Sequence, residues 1–271
     1  MNAIAYTVSD SATMLRRQLR HMLRYPSLTV IVVGMPVVFL LLFVFVLGGT
    51  MGSGLGPSGA VGASGAGGGR AAYLQYVVPG ILVMTIAAIV QGTAISVAMD
   101  MTGGIVARFR TMSISRASVL TGHVLGSMVQ AAIGIAVVLG AAVILGFRPS
   151  AGPMEWFGVI GLLAITSFAL IWLAVALGMV TNSVETASNL PMPLILLPFL
   201  GSAFVPTDSM PGPLKLFAEY QPFTPIIETL RGLLTGTAFG NDGLIAVAWC
   251  VAVAAVSYTW AMRLYERHSV H

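Results

Sequence analysis

Charge is what this sequence has least of. Only 8% of its 271 residues are Asp, Glu, Lys or Arg, while 57% are hydrophobic. A soluble domain carries roughly 25% charged residues. That shortfall excludes a water-facing surface over most of the chain and makes the bilayer the expected solvent. Lysine is scarcer still: Lys215, in GPLKLF, is the only one. A phosphate-binding loop needs GxxxxGK followed by Ser or Thr, with the lysine reaching the phosphates. The glycine-rich stretch 48–69 is therefore no such loop, no Walker A motif exists, and no cofactor is expected in this chain. Cys250, in IAVAWCVAVAAV, is the single cysteine, which excludes an intrachain disulfide and a multi-cysteine metal site. It reads as a small packing residue. His21, His123, His268 and His271 are scattered, HExxH and GxSxG are absent, and no metal site or catalytic residue is expected. No expected span carries Asp, Glu, Lys or Arg at its centre. Ion-coupled carriers usually need such groups, although backbone carbonyls can bind sodium.

What is present reads as helices. Residues 9–24, SDSATMLRRQLRHMLR, place Leu15, Leu19, Met22 and Leu23 on one face and Arg16, Arg17, Arg20 and Arg24 largely off it. Such a basic amphipathic helix lies in the membrane interface. Pro26 ends it. The run 28–47 is uncharged and long enough to span, with a kink expected at Pro36. Residues 48–69 are a Gly/Ser/Ala linker. Further spans are expected at 76–99, 119–145, 156–180, 189–204 and 244–262, the fifth interrupted by Pro191, Pro193 and Pro198. Residues 205–240 are proline-punctuated and too broken to span. Two short helices, 212–220 and 225–234, suggest a re-entrant or interfacial hairpin. The expected fold is an all-α membrane protein: six transmembrane helices, an N-terminal interfacial helix and an outward re-entrant hairpin, forming one domain over 1–271.

Six spans put both termini on one side. If that side is the cytoplasm, the inner segments hold Arg16, Arg17, Arg20, Arg24, Arg108, Arg110, Arg116, Arg263 and Arg267. The outer segments hold Arg70, Arg148, Lys215 and Arg231. This asymmetry fits the positive-inside rule. It makes 100–118 a cytoplasmic loop and 205–240 an outward hairpin. In this setting a net charge of +4 reports topology rather than nucleic-acid binding. The loop DMTGGIVARFRTMSISR is the longest polar, charge-bearing break between two spans. On charge alone, its arginines serve equally well to grip lipid phosphates or to dock a partner.

The sequence GGIVARFRTMSISRASVLTGHVLG resembles the cytoplasmic segment of ABC-2 type permeases, especially daunorubicin-resistance-type drug exporter permeases. FVPTDSMPGPLKLFAEYQPFTPIIETLRGLLTG resembles the hairpin before the last span of the same family. Ser113 and His123 depart from it, standing where relatives often carry proline and a basic residue. The resemblance implies a permease subunit in the bacterial plasma membrane that pairs with a second copy or a paralogue. It further implies two ATPase subunits, which bind the ATP and Mg that this chain cannot. Residues 100–118 would be the coupling helix, with Arg108, Phe109, Arg110, Met112, Ile114 and Arg116 docking the ATPase: apolar anchors fill a pocket and arginines fix its register. Pro206, Pro211, Pro222, Glu228 and Arg231 mark the exit-side hairpin. Glu228 and Arg231 also stand at i, i+3, the spacing of a local helix pair.

The resulting expectation is outward transport of a hydrophobic or amphipathic, drug- or lipid-like molecule by alternating access. Export of a polysaccharide or lipid-linked glycan, or a non-transporting membrane assembly factor, are the alternatives. The sequence does not select a substrate.

Overall fold

A computed structural model describes residue 16 and residues 26–49, 68–102, 116–181, 183–238 and 240–267. Among these residues there are helices and no strands. In chain order they are α1 (Pro26–Leu42), α2 (Gly68–Thr102), α3 (Arg116–Ile144), α4 (Pro153–Val180), α5 (Val184–Asn189), α6 (Met192–Leu196), α7 (Gly212–Tyr220), α8 (Phe223–Thr235) and α9 (Asp242–Arg267). Helix α1 runs through Pro36 and widens into a π turn at Phe43–Leu47. Among the described residues, five helices are long and apolar enough to cross a membrane: α1 with its π turn, α2, α3, α4 and α9. The linker 50–67 lies outside the described residues.

Burial separates these five into inner and outer members. In the most apolar stretch of α2, 72% of residues are buried, and in α4 67%; α1 and α9 reach only 22%. Helix α2 is thus the post around which the others stand. Its 35 residues measure about 52 Å at 1.5 Å per residue, well over a hydrocarbon core of about 30 Å. The outer faces of α1 (Val30, Ile31, Val38), its π turn (Val46) and α9 (Leu244, Val251, Val256) stay exposed, as lipid-facing residues should.

Small residues let neighbours reach the post. A Cβ on Gly178 of α4 would lie 2.7 Å from the carbonyl oxygen of Ala94, so only glycine permits this crossing. Gly80 of α2 likewise lies under Ala203, whose Cβ would be 2.6 Å from an added side chain. The packing divides into two apolar clusters. The larger gathers Val77, Ile81, Phe147, Phe223, Ile227 and Leu230. The smaller gathers Val97, Leu120, Val124, Trp172 and Met179.

The stretch 189–204, expected as a span, is not one continuous helix. Helix α5 begins earlier, at Val184, in the polar segment between the expected spans 156–180 and 189–204. Ser183 caps it, its Oγ accepting from the Thr186 backbone N–H at 3.1 Å. Pro191 then stands just before the short α6, and Leu197–Leu200 tighten into a 3-10 turn. Three prolines in eight positions remove the backbone donors that a continuous helix needs. Gln91 of α2 holds this broken stretch, donating from Nε2 to the Ser188 carbonyl at 2.8 Å. Beyond it, Phe199 and Phe204 pack with Phe43, the Phe43–Phe204 rings stacking at 4.2 Å.

Candidate functional site

The two ends of α2 carry the polar chemistry. One end leads into the arginine-bearing loop. Arg116 is the first residue of α3, whereas Arg108, Phe109, Arg110, Met112 and Ile114 lie outside the described residues. The structure describes the frame that holds this loop. His123 Nε2 of α3 stands 3.1 Å from Asp100 Oδ2 of α2, with both side chains largely buried. Nearer the middle of the pair, Thr93 Oγ1 and Ser127 Oγ share a hydrogen bond of 2.7 Å. Thr93 and Asp100 are seven residues apart, about 10 Å along α2. The antiparallel pair α2/α3 is therefore joined by two polar rungs just inside the loop. The smaller apolar cluster surrounds them, with Val97 between the rungs on α2 and Leu120 and Val124 on α3.

The sequence places Asp100 at the start of the expected loop 100–118 and His123 among four scattered histidines, with no motif to pair them. Their partnership was readable in principle. A carboxylate near the end of one span and an imidazole one or two turns into the next, joined by a single loop, fall at similar depth.

At the opposite end of α2 stands the proline-punctuated segment, folded as α7 and α8 behind a short 3-10 turn at Thr207–Ser209. Three of its five prolines mark boundaries, while Pro213 and Pro225 lie in the first turns of α7 and α8. Pro206 precedes the 3-10 turn and accepts from Ser209 Oγ at 2.7 Å. Pro211 precedes α7, its carbonyl accepting from the Lys215 N–H at 2.8 Å. Pro222 precedes α8, which Gly236 ends in the left-handed conformation at φ 72°. The start of α7 at Gly212 and its end at Tyr220 match the sequence expectation.

Arg231 of α8 is the centre of this end. Its Nη1 donates to Glu228 Oε1 at 2.5 Å, the expected i, i+3 pair. It does considerably more. Nη2 donates to the Ser202 carbonyl at 2.6 Å and to the Tyr76 carbonyl at 3.3 Å, and Nε reaches the same Tyr76 carbonyl at 3.4 Å. Its guanidinium carbon lies 3.8 Å from the centre of the Tyr76 ring. One side chain thus ties α8 to α2 and to the turn after the broken stretch. Tyr76 lies three residues before Pro79, whose missing N–H leaves the adjacent Gln75 carbonyl without its helical donor. Sequence inspection identified the Glu228–Arg231 pair and missed Tyr76 and Ser202, which are 155 and 29 residues from Arg231.

The remaining polar contacts are peripheral. Lys215 Nζ bonds Asp208 Oδ1 at 2.7 Å at the surface. That hydrogen bond, and then the ammonium charge, hold the Asp208 carboxyl below its ordinary value; the same bond, and then the carboxylate charge, raise the Lys215 ammonium above its own. Arg16 is helical and exposed; Arg17, Arg20 and Arg24 lie outside the described residues. Among the described residues no group of His, Cys, Asp and Glu is arranged to hold a metal ion.

Comparison with known proteins now bears on this arrangement. The ABC-2 type transporter family matches residues 11–235, which include both ends of α2 and all of α8. A daunorubicin resistance ABC transporter permease protein of Streptomyces coeruleorubidus is 28% identical over 274 aligned residues, covering 99% of this chain and 90% of the relative. A protein of Mycobacterium tuberculosis, named as a probable doxorubicin resistance ABC transporter permease, is 24% identical over 178 residues, covering 66% of this chain and 64% of the relative.

Proposed function

The chain belongs to the ABC-2 type transporter family, and on that premise we propose that it is the membrane-spanning permease subunit of an ATP-driven exporter. The observation that carries this reading is the similarity to a drug-resistance permease along 99% of the chain. Two features of the chain support it. Five helices are apolar enough to span, and the single lysine falls outside any nucleotide-binding motif. Energy then has to come from separate ATPase subunits, two per complex, which bring the ATP and Mg. A second permease copy or a paralogue completes the pore in the bacterial plasma membrane. The cargo is a hydrophobic or amphipathic small molecule, moved outward by alternating access.

In this reading the broken stretch 184–200 makes the sixth crossing, and both termini lie in the cytoplasm. The loop between α2 and α3 is the coupling element. Phe109, Met112 and Ile114 are its apolar anchors in a groove of the ATPase, and Arg108, Arg110 and Arg116 set its register. The rungs Thr93–Ser127 and Asp100–His123 join the two helices that carry the loop, so a push on the loop moves α2 and α3 as one body. Helix α2 delivers that displacement to Tyr76, where Arg231 grips it, and so to the outward hairpin. The basic helix 9–24 braces the ATPase from the side.

A reporter fused after Ser113 tests the orientation on which this depends. Cytoplasmic reporter activity is the expected result. An extracellular position would invert the topology and remove the docking assignment with it.

A further inference from the structure

Between α4, α8, α9 and the broken stretch lies a cavity of about 80 Å³. Its walls include Thr166 and Ala169 of α4, Leu197 of the 3-10 turn, Phe223 of α8, and Trp249 and Cys250 of α9. No polar atom is exposed in its lining. The two wall residues with polar groups face each other instead: Thr166 Oγ1 and Cys250 Sγ are 3.4 Å apart. The interior is therefore dry, since a water molecule needs two to four polar partners to settle there.

Three observations identify what fills it. The first is size. An engineered apolar cavity of about 150 Å³ admits one benzene ring. A space about half as large excludes a ring and admits a few carbons of a flexible alkyl chain. The second is depth. Thr166 is 13 residues into α4, about 20 Å along a helix of about 42 Å, close to its midpoint. The methyl ends of lipid acyl chains lie at that depth. The third is access. Trp249 borders the cavity and is 41% exposed, and the exposed residues around it on α9, Ile245, Val247, Val251 and Val256, are apolar. An acyl chain reaches this mouth sideways from the bilayer.

We propose that this cavity is a lipid site that seats the methyl end of one phospholipid acyl chain. The chain end replaces dispersion contacts that an empty space would forfeit. It touches Phe223 at the first turn of α8, so it packs the hairpin against α4 and α9. The proposal rests on the protein spanning a membrane. It is independent of ATPase docking and of the cargo.

The full-length protein supplies its own probe. With Trp156, Trp172 and Trp260 replaced by Phe, Trp249 alone emits. The variant is reconstituted into phosphatidylcholine vesicles whose acyl chains carry bromine either near the methyl end or near the carbonyl. Quenching by the deep bromines is expected to exceed quenching by the shallow ones at least twofold. Filling the cavity with Ala169→Leu should cut the deep quenching about twofold and leave the shallow quenching unchanged. Cys250→Leu fills it from the opposite wall and should do the same. It keeps the test open if Ala169→Leu does not fold. Unchanged deep quenching in either folded variant, or shallow bromines that quench as well as deep ones, would overturn the assignment.

Discussion

The two ends of α2 are fastened by opposite means. At Tyr76 a single guanidinium serves two backbone carbonyls, a carboxylate and a ring face. At the other end two separate side-chain pairs, Thr93–Ser127 and Asp100–His123, divide the task along neighbouring turns. The first arrangement concentrates its strength in one residue and bonds to backbone, which cannot turn away. The second is distributed, and each rung can be broken alone. A post fixed firmly at the hairpin and by separable rungs at the loop suits a lever moved from the loop side.

This contrast is open to attack by substitution, beginning where the effect should be greatest. Arg231→Ala removes all of the guanidinium's bonds at the hairpin end and leaves Glu228 without its partner, while the Tyr73 hydroxyl still donates to the Phe204 carbonyl. The substitution should cost about 3 kcal/mol, the upper end of the scale for leaving buried polar partners unsatisfied, because two backbone carbonyls lose their donor. Thermal unfolding of the purified protein reads this loss. Arg231→Lys should recover only a minor part, because an ammonium cannot reproduce the guanidinium fork over three acceptors. A variant as stable as the parent would show that the hairpin is held by apolar packing alone.

His123→Ala should be milder, about 1–2 kcal/mol, the scale of leaving one buried polar partner unsatisfied. Its larger consequence should be functional. Partner ATPase stimulation should fall further than the melting temperature suggests, because the loop loses one of its two supports. Thr93→Val should be the mildest, about 0.6 kcal/mol, the average for a hydrogen bond between membrane helices. If the rungs are independent, the double variant should show the sum of the two losses to within about 0.5 kcal/mol. A strongly non-additive result would make them one network and blunt the contrast with Arg231.

Much of the fold could be read from residue order because each element announced itself locally. Gly212–Tyr220 is bounded by Pro211 and by Gln221–Pro222, and a helix between such stops has little freedom in its ends. The uncharged runs behave in the same way. Legibility fails where the cause is distant. Nothing near Arg231 points to Tyr76, because their meeting depends on α8 folding back onto the proline turn of α2. At 189–204 the interruption by Pro191, Pro193 and Pro198 was legible, but not where each short piece begins and ends. The early start of α5 was a capping effect of Ser183, visible only when the polar segment is read as a helix start rather than a loop. The cavity beside Cys250 had no signal in sequence, since it arises from four elements meeting imperfectly.

The central claim is that the loop between α2 and α3 couples this chain to an ATPase supplied by another subunit. Its most direct test is co-purification with the candidate ATPase, comparing the parent with a Phe109→Ala, Ile114→Ala double variant in lipid nanodiscs. The account predicts that the variant folds, reaches the membrane, and loses most ATPase retention and at least tenfold of cargo-stimulated ATP hydrolysis. Undiminished retention and stimulation in the double variant would contradict it.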